Sequence, residues 1–387
     1  MRTAAGLLAL ISLAVVQPAC AQAPGGQDKG REEIRLRGSD QWATDFSITS
    51  VPLSEIVSGG PPKDGIPAIE RPRFEPVDAA DRWLDDLDPV LVVEVGGSVK
   101  GYPLGILIWH EIVNDELSGV PLTVTFCPLC NTALVFDRRL DGRLLDFGTT
   151  GRLRQSDLVM YDRQTESWWQ QAVGEAIVGV LTGERLVTVP ANTLGWDRAR
   201  QLYPDMRVLS RDTGFPSYES SGRYGQNPYR EYDSGNGPYR RFFQGSFADD
   251  LPAMERVAAI DVGEGWAAGF GDLQKTGVAH GAADDQAFVV FWVSGAASAL
   301  DESRIASGRD VGQTAAFSRV FDDRTLTFAA MEDGRYRDRE TGSTWDLAGR
   351  ATDGPLKDSR LTPVPHGNHF WFAWTAFRPA SAVWRSN

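Results

Sequence analysis

The chain has 387 residues, with 52 Asp and Glu against 39 Lys and Arg, a formal net charge of −13, only 3 Cys and only 4 His. That acidic balance argues against nucleic acid as a partner, because phosphate binding needs clustered cations. Beyond the N-terminus no apolar run reaches the roughly 18 residues that a membrane-spanning helix requires.

Arg2, an apolar run over 4–16 and Pro18-Ala19-Cys20-Ala21 have the layout of a secretory signal peptide over residues 1–21. Cleavage before Gln22 releases a periplasmic or secreted protein. Cleavage before Cys20 leaves an outer-envelope lipoprotein anchored through that cysteine. On either route Cys127 and Cys130 are the thiols of the folded part, in a compartment where disulfides persist. Residues 22–84 read as a flexible leader, rich in Gly, Gln and charge over 22–33, followed by an N-terminal extension.

From residue 85 onward, short apolar stretches alternate with turn signals at 121–126, 133–137, 144–147, 158–161, 176–181 and 186–189, the pattern of strands. Asp141-Gly142 is a hairpin signal between two of them. Two helices are expected: 104–116, apolar at 104, 108 and 112, and 193–202, capped by Asn192. The fold class is mainly β with a few helices, α+β.

A repeat organises this pattern. Asp162-Arg163-x-Thr165-x-Ser167-x-Trp169 recurs as Asp338-Arg339-x-Thr341-x-Ser343-x-Trp345. Gly179-x-Leu181 and Arg185-Leu186-x-x-Val189-Pro190 recur as Gly354-x-Leu356 and Arg360-Leu361-x-x-Val364-Pro365. More weakly, the region of His110 aligns near His280. These matches predict two tandem pseudo-repeats, 85–210 and 250–380, packed as a pair, with the cleft between them as the default ligand site. The irregular connection 211–249, rich in Tyr, Ser, Gly, Pro and Arg, is either a surface linker or a lid.

The chemistry-capable motif is Cys127-Pro128-Leu129-Cys130, placed directly after an alternating apolar strand and therefore expected at a strand-end turn. Two thiolates underfill a tetrahedral metal site, and His110, on the preceding helix, is the best further ligand. Thiolates with imidazole suit copper or zinc. An alternative is a Cys-dependent enzyme, with the pair as a redox dithiol or with Cys127 as nucleophile, His110 as base and Glu111 or Asp115 as orienter. The remaining alternative is a structural module with a Cys127–Cys130 disulfide. A thioredoxin-like site is disfavoured, because the residues after Cys130 read as strand and not helix. His366 and His369 are placed to face the cleft. The second repeat, whose aligned positions carry Trp292 and Gly295, lacks the thiols. The shared Asp-Arg-x-Thr-x-Ser-x-Trp motif therefore reads as structural and the cysteines as functional.

Trp109-His110-Glu111-Ile112-Val113-Asn114-Asp115, Phe126-Cys127-Pro128-Leu129-Cys130-Asn131-Thr132-Ala133, the first Asp-Arg-x-Thr-x-Ser-x-Trp and Phe370-Trp371-Phe372-Ala373-Trp374 together resemble a bacterial and archaeal family, domain of unknown function 3179. The resemblance covers roughly residues 85–380 and implies an exported or envelope-associated protein. It brings no catalytic residues with it. The expectation is thus an exported protein binding a soft transition metal through Cys127, Cys130 and His110.

Overall fold

The computed structural model describes residues 41–386. The expected signal peptide, the anchor candidate Cys20 and the leader up to residue 40 lie outside the described residues. Among the described residues the chain is mainly β, in small and largely antiparallel sheets with six short α-helices. No helix among them is long and apolar enough to cross a membrane.

Two sheets share one pairing plan. In the first, Ala191–Gly195, Pro89–Val95 and Ser98–Pro103 pair antiparallel, and Arg207–Leu209 adds parallel to Ser98–Pro103. In the second, Gly367–Phe370, Arg256–Ile260 and Trp266–Gly269 pair antiparallel, and Ala382–Trp384 adds parallel to Trp266–Gly269. Each is followed by a meander: Ile112–Leu117, Val120–Cys127 and Thr132–Asp137 in one, Val278–Ala283, Gln286–Val293 and Gln313–Ser318 in the other. The halves are not separately cored. Val92 and Leu194 share an apolar cluster with Phe291, Phe317 and Trp345.

The expected first helix stops early. It spans Leu104–His110, because Glu111 turns the backbone to φ 59° and the β-branched Ile112 and Val113 pair with Thr125 and Val124 as strand. The expected second helix starts late, at Trp196, because 191–195 pair with Pro89–Val95; Gly195 takes the N-cap position in place of Asn192. Part of the N-terminal extension is built into the sheets. Ile56–Ser58 pairs with Phe147–Arg154, and Phe74–Pro76 with Arg207–Leu209. Asp141-Gly142 forms the expected hairpin turn between Arg139–Leu140 and Arg143–Leu144, both residues at positive φ.

The repeated motif is a hydrogen-bonded turn with a buried tryptophan. Asp162 accepts from Thr165 N (2.6 Å), Thr165 Oγ1 (2.8 Å) and Trp169 Nε1 (3.0 Å). Asp338 accepts from Thr341 N (2.6 Å), Thr341 Oγ1 (2.8 Å) and Trp345 Nε1 (2.9 Å). Both indoles are fully buried, so an unpaired N–H there costs the full desolvation of the group. Asp162→Ala and Asp338→Ala should therefore each lower the unfolding free energy by about 3 kcal/mol or more, read by denaturant titration. A loss below about 1 kcal/mol would contradict the turn's structural role.

Candidate metal centre

The thiol segment is a four-residue hairpin loop. Cys127, the last residue of strand Val120–Cys127, stands in register with Thr132 at the start of Thr132–Asp137. Pro128–Cys130 make one 3-10 turn, and Asn131 takes left-handed backbone (φ 53°, ψ 31°) and donates its N–H to Pro128 O at 3.0 Å. Pro presets the first dihedral of that turn and Asn tolerates the left-handed one. Both cysteines are free thiols, buried in the main apolar core.

Asp157 joins them. The two sulfurs and a carboxylate oxygen of Asp157 all lie within 4.8 Å of one another. Asp157 opens strand Asp157–Asp162 after the two-residue turn Gln155-Ser156, whose φ values are 51° and 67°. Turns of this hand normally use Asn or Gly, and here outside contacts hold the conformation. Ser156 N–H donates to Phe242 O (2.8 Å), and Gln155 Oε1 accepts from the N–H groups of Gln244 (3.2 Å) and Gly245 (3.0 Å). Asp157 Oδ2 accepts from Gln170 Nε2 (2.6 Å) and Ala172 N (2.9 Å). Its Oδ1 is buried with no partner in hydrogen-bonding geometry among the described residues.

Glu111 stands beside this group. It is 8 % exposed, and its carboxyl is close enough to Asp157 and Cys127 to interact with their charges. Burial, and then the Asp157 charge, pushes it up to about 8. Burial pushes Asp157 up to about 6, against the pull of Gln170 and Ala172, and raises both thiols. No Lys or Arg pairs with these four acids among the described residues. A buried acidic set of this kind lacks the counter-charge that a bound cation supplies.

The backbone at Glu111 has a counterpart that explains its strain. Glu111 N–H donates to Leu107 O (2.7 Å) and Glu111 O accepts from Phe126 N–H (2.8 Å); Gly277, at φ 68°, does the same with Leu273 O (2.7 Å) and Trp292 N–H (2.9 Å). Where one half uses glycine, the other holds a glutamate in the left-handed region, at a cost of about 1–3 kcal/mol. The same pattern makes Trp292 the equivalent of Phe126, so the counterpart of Cys127 falls at Val293, one residue later than the sequence alignment placed it.

His110, expected to complete the thiol pair, is engaged elsewhere. Its Nδ1 is 2.7 Å from Pro67 O and its Nε2 is 2.8 Å from Tyr224 Oη, because the helix ends on it and the chain reverses at Glu111. No Cys127–His110 pair is formed, and Asp115, the alternative orienter, is bound by Lys100 Nζ (2.7 Å) and Tyr102 Oη (2.6 Å). His280 corresponds in role to Asn114 and not to His110. Its Nε2 accepts Phe328 N–H (3.0 Å), as Asn114 Oδ1 accepts Phe147 N–H (3.0 Å). His366 and His369 line a cavity of about 320 Å³ between residues 134–136 and 259–262.

Asp157 has no signal in the sequence, being a single acid after an atypical turn. The connection 211–249 is equally a product of folding. Tyr232 Oη donates to Leu129 O (2.9 Å), Tyr224 meets His110, and Tyr229 lies near enough to Glu111 and Cys127 to feel both. Tyr224, Tyr229 and Tyr232 thus bring this connection over the thiol loop.

No curated protein and no solved structure matches the chain. A family model described as protein of unknown function (DUF3179) matches residues 63–381, which include the thiol loop, Glu111, Asp157 and both Asp-Arg-x-Thr-x-Ser-x-Trp turns. The chain belongs to that family.

Proposed function

We propose that this is an exported protein that holds one zinc ion through Cys127, Cys130 and Asp157, with the fourth position turned toward Glu111. The observation that carries this reading is the set of three buried donor atoms within 4.8 Å of one another, one of them on a carboxylate whose Oδ1 faces the two thiols without a partner in hydrogen-bonding geometry. Mixed thiolate and carboxylate donors suit Zn²⁺. Copper(I) fitted the expected thiolate and imidazole set better than it fits one containing oxygen. Thiol catalysis has less support, since reactive cysteines have lowered pKa values and burial raises both of these.

Export rests on the layout of residues 1–21. The two halves are read as copies of one ancestral unit, a reading supported by the shared sheet plan, the paired Asp-Trp turns and the Glu111/Gly277 equivalence. On that reading the metal ligands are a specialisation of the first copy. Native mass spectrometry of the reduced mature chain with equimolar zinc should give a single adduct of one zinc per chain. Zinc-free protein with both thiols reduced would overturn the proposal.

A further inference from the structure

The cavity beside His366 and His369 is built from different side chains than the thiol centre, and its polar atoms have a definite character. His369 Nδ1 is 2.8 Å from Thr132 Oγ1, and that hydroxyl donates to Cys130 O at 3.2 Å. Assigning the hydroxyl proton to the Cys130 carbonyl places the imidazole proton on Nδ1 and leaves Nε2 as a bare lone pair. Nε2 has no partner among the described residues. It lies against Gly367 on the cavity wall, where a Cβ would come to 2.4 Å. His366 is engaged otherwise: its Nε2 is 3.2 Å from Thr314 Oγ1, its ring also faces the Val364 and Thr314 carbonyls, and Nδ1 is buried away from the cavity. His369 Nε2 is thus the imidazole acceptor that this wall presents.

The remaining walls narrow the occupant. Leu134, Phe136, Leu186, Val364 and Trp374 are apolar, and the Trp374 N–H is used by Ser381 Oγ at 2.8 Å. The charges at the rim are matched among themselves. Arg185 reaches Asp261 at 3.3 Å, and Asp261 also meets Arg378 at 2.7 Å, so neither a free cation nor a free anion faces inward. A cavity of about 150 Å³ accommodates benzene; this one, at about 320 Å³, has room for a two-ring or substituted one-ring molecule. We propose that the cavity is a binding site for a small, uncharged, flat organic molecule bearing a hydroxyl donor, of the phenol class, with the hydroxyl on His369 Nε2.

The test titrates the full mature protein, labelled with ¹⁵N-histidine, with 2-naphthol, naphthalene and 2-naphthoate. Four histidines give four resolvable imidazoles. The expected result is saturable binding of 2-naphthol that shifts His369 and His366 but not His280, with naphthalene and 2-naphthoate at least about tenfold weaker. His369→Leu should weaken 2-naphthol by a similar factor. Gly367→Ala, which places a methyl group on Nε2 without removing the imidazole, should do so as well. Equal binding of naphthalene, or binding indifferent to both substitutions, would reduce the site to an apolar void and overturn the proposal. So would the absence of saturable binding. Zinc that shifts His366 and His369 in Cys127→Ser protein would overturn it in favour of an imidazole metal site.

Discussion

Asp157→Asn should weaken zinc binding by more than about 100-fold, and Cys127→Ser or Cys130→Ser should remove stoichiometric binding, measured by competition with a chromophoric chelator on reduced protein. The scale follows from role. Loss of an outer hydrogen-bonding partner of a ligand costs about 10–100-fold, and loss of the ligand itself costs more. Gln170 supplies an internal comparison, because its Nε2 holds Asp157 Oδ2 at 2.6 Å without entering the donor set. Gln170→Leu should fall within that 10–100-fold range. Asp157→Asn binding as tightly as wild type, with the cysteine variants empty, would show a two-thiolate site completed by other groups and would remove Asp157 from the reading.

Glu111→Gly should make the metal-free protein more stable while making it a poorer zinc binder. Two effects add. Glycine relieves the left-handed backbone, a gain of about 1–3 kcal/mol that is present at every pH. It also removes a buried carboxyl pushed up from 4.5 to about 8. A folded-state pKa above the unfolded one means that the native protein keeps its proton longer. The Glu111 contribution to wild-type stability should then be full below about pH 4.5 and be lost as pH rises toward about 8, by up to about 5 kcal/mol. Glu111→Gln separates the two effects, since it deletes the pH slope and keeps the strained backbone. Denaturant unfolding at pH 5 and pH 8 reads both. Parallel pH slopes in wild type and Glu111→Gln would disprove the buried-carboxyl account, and no gain in Glu111→Gly over Glu111→Gln would disprove the strain.

That glutamate illustrates how far local pattern carries. Apolar spacing at 104, 108 and 112 extended the expected helix to residue 116 and left Glu111 in mid-helix. The actual end is set by the pairing of Ile112–Leu117 with Val120–Cys127, and strand partners are non-local. Asn192 failed as a cap for the same reason: residues 191–195 are taken up by Pro89–Val95. The Cys-Pro-Leu-Cys turn was legible because its determinants, an alternating strand and a proline, are contiguous. His110 was legible as buried chemistry but not as to partner, since Pro67 and Tyr224 reach it from opposite sides of the sequence.

From the sequence by itself follow the mainly β character, the strand-end turn with its thiols, the structural service of the two Asp-Trp motifs and the family. Each depends on residues a few positions apart, where dihedral preference and periodicity act directly. Tertiary structure alone decided that Asp157, and not His110, stands with the cysteines, that Glu111 is forced into left-handed backbone beside them, and that residues 211–249 cover the loop. Those outcomes turn on which distant strand fills each edge and on which buried polar atoms find partners, a competition that is settled only when the whole chain has packed.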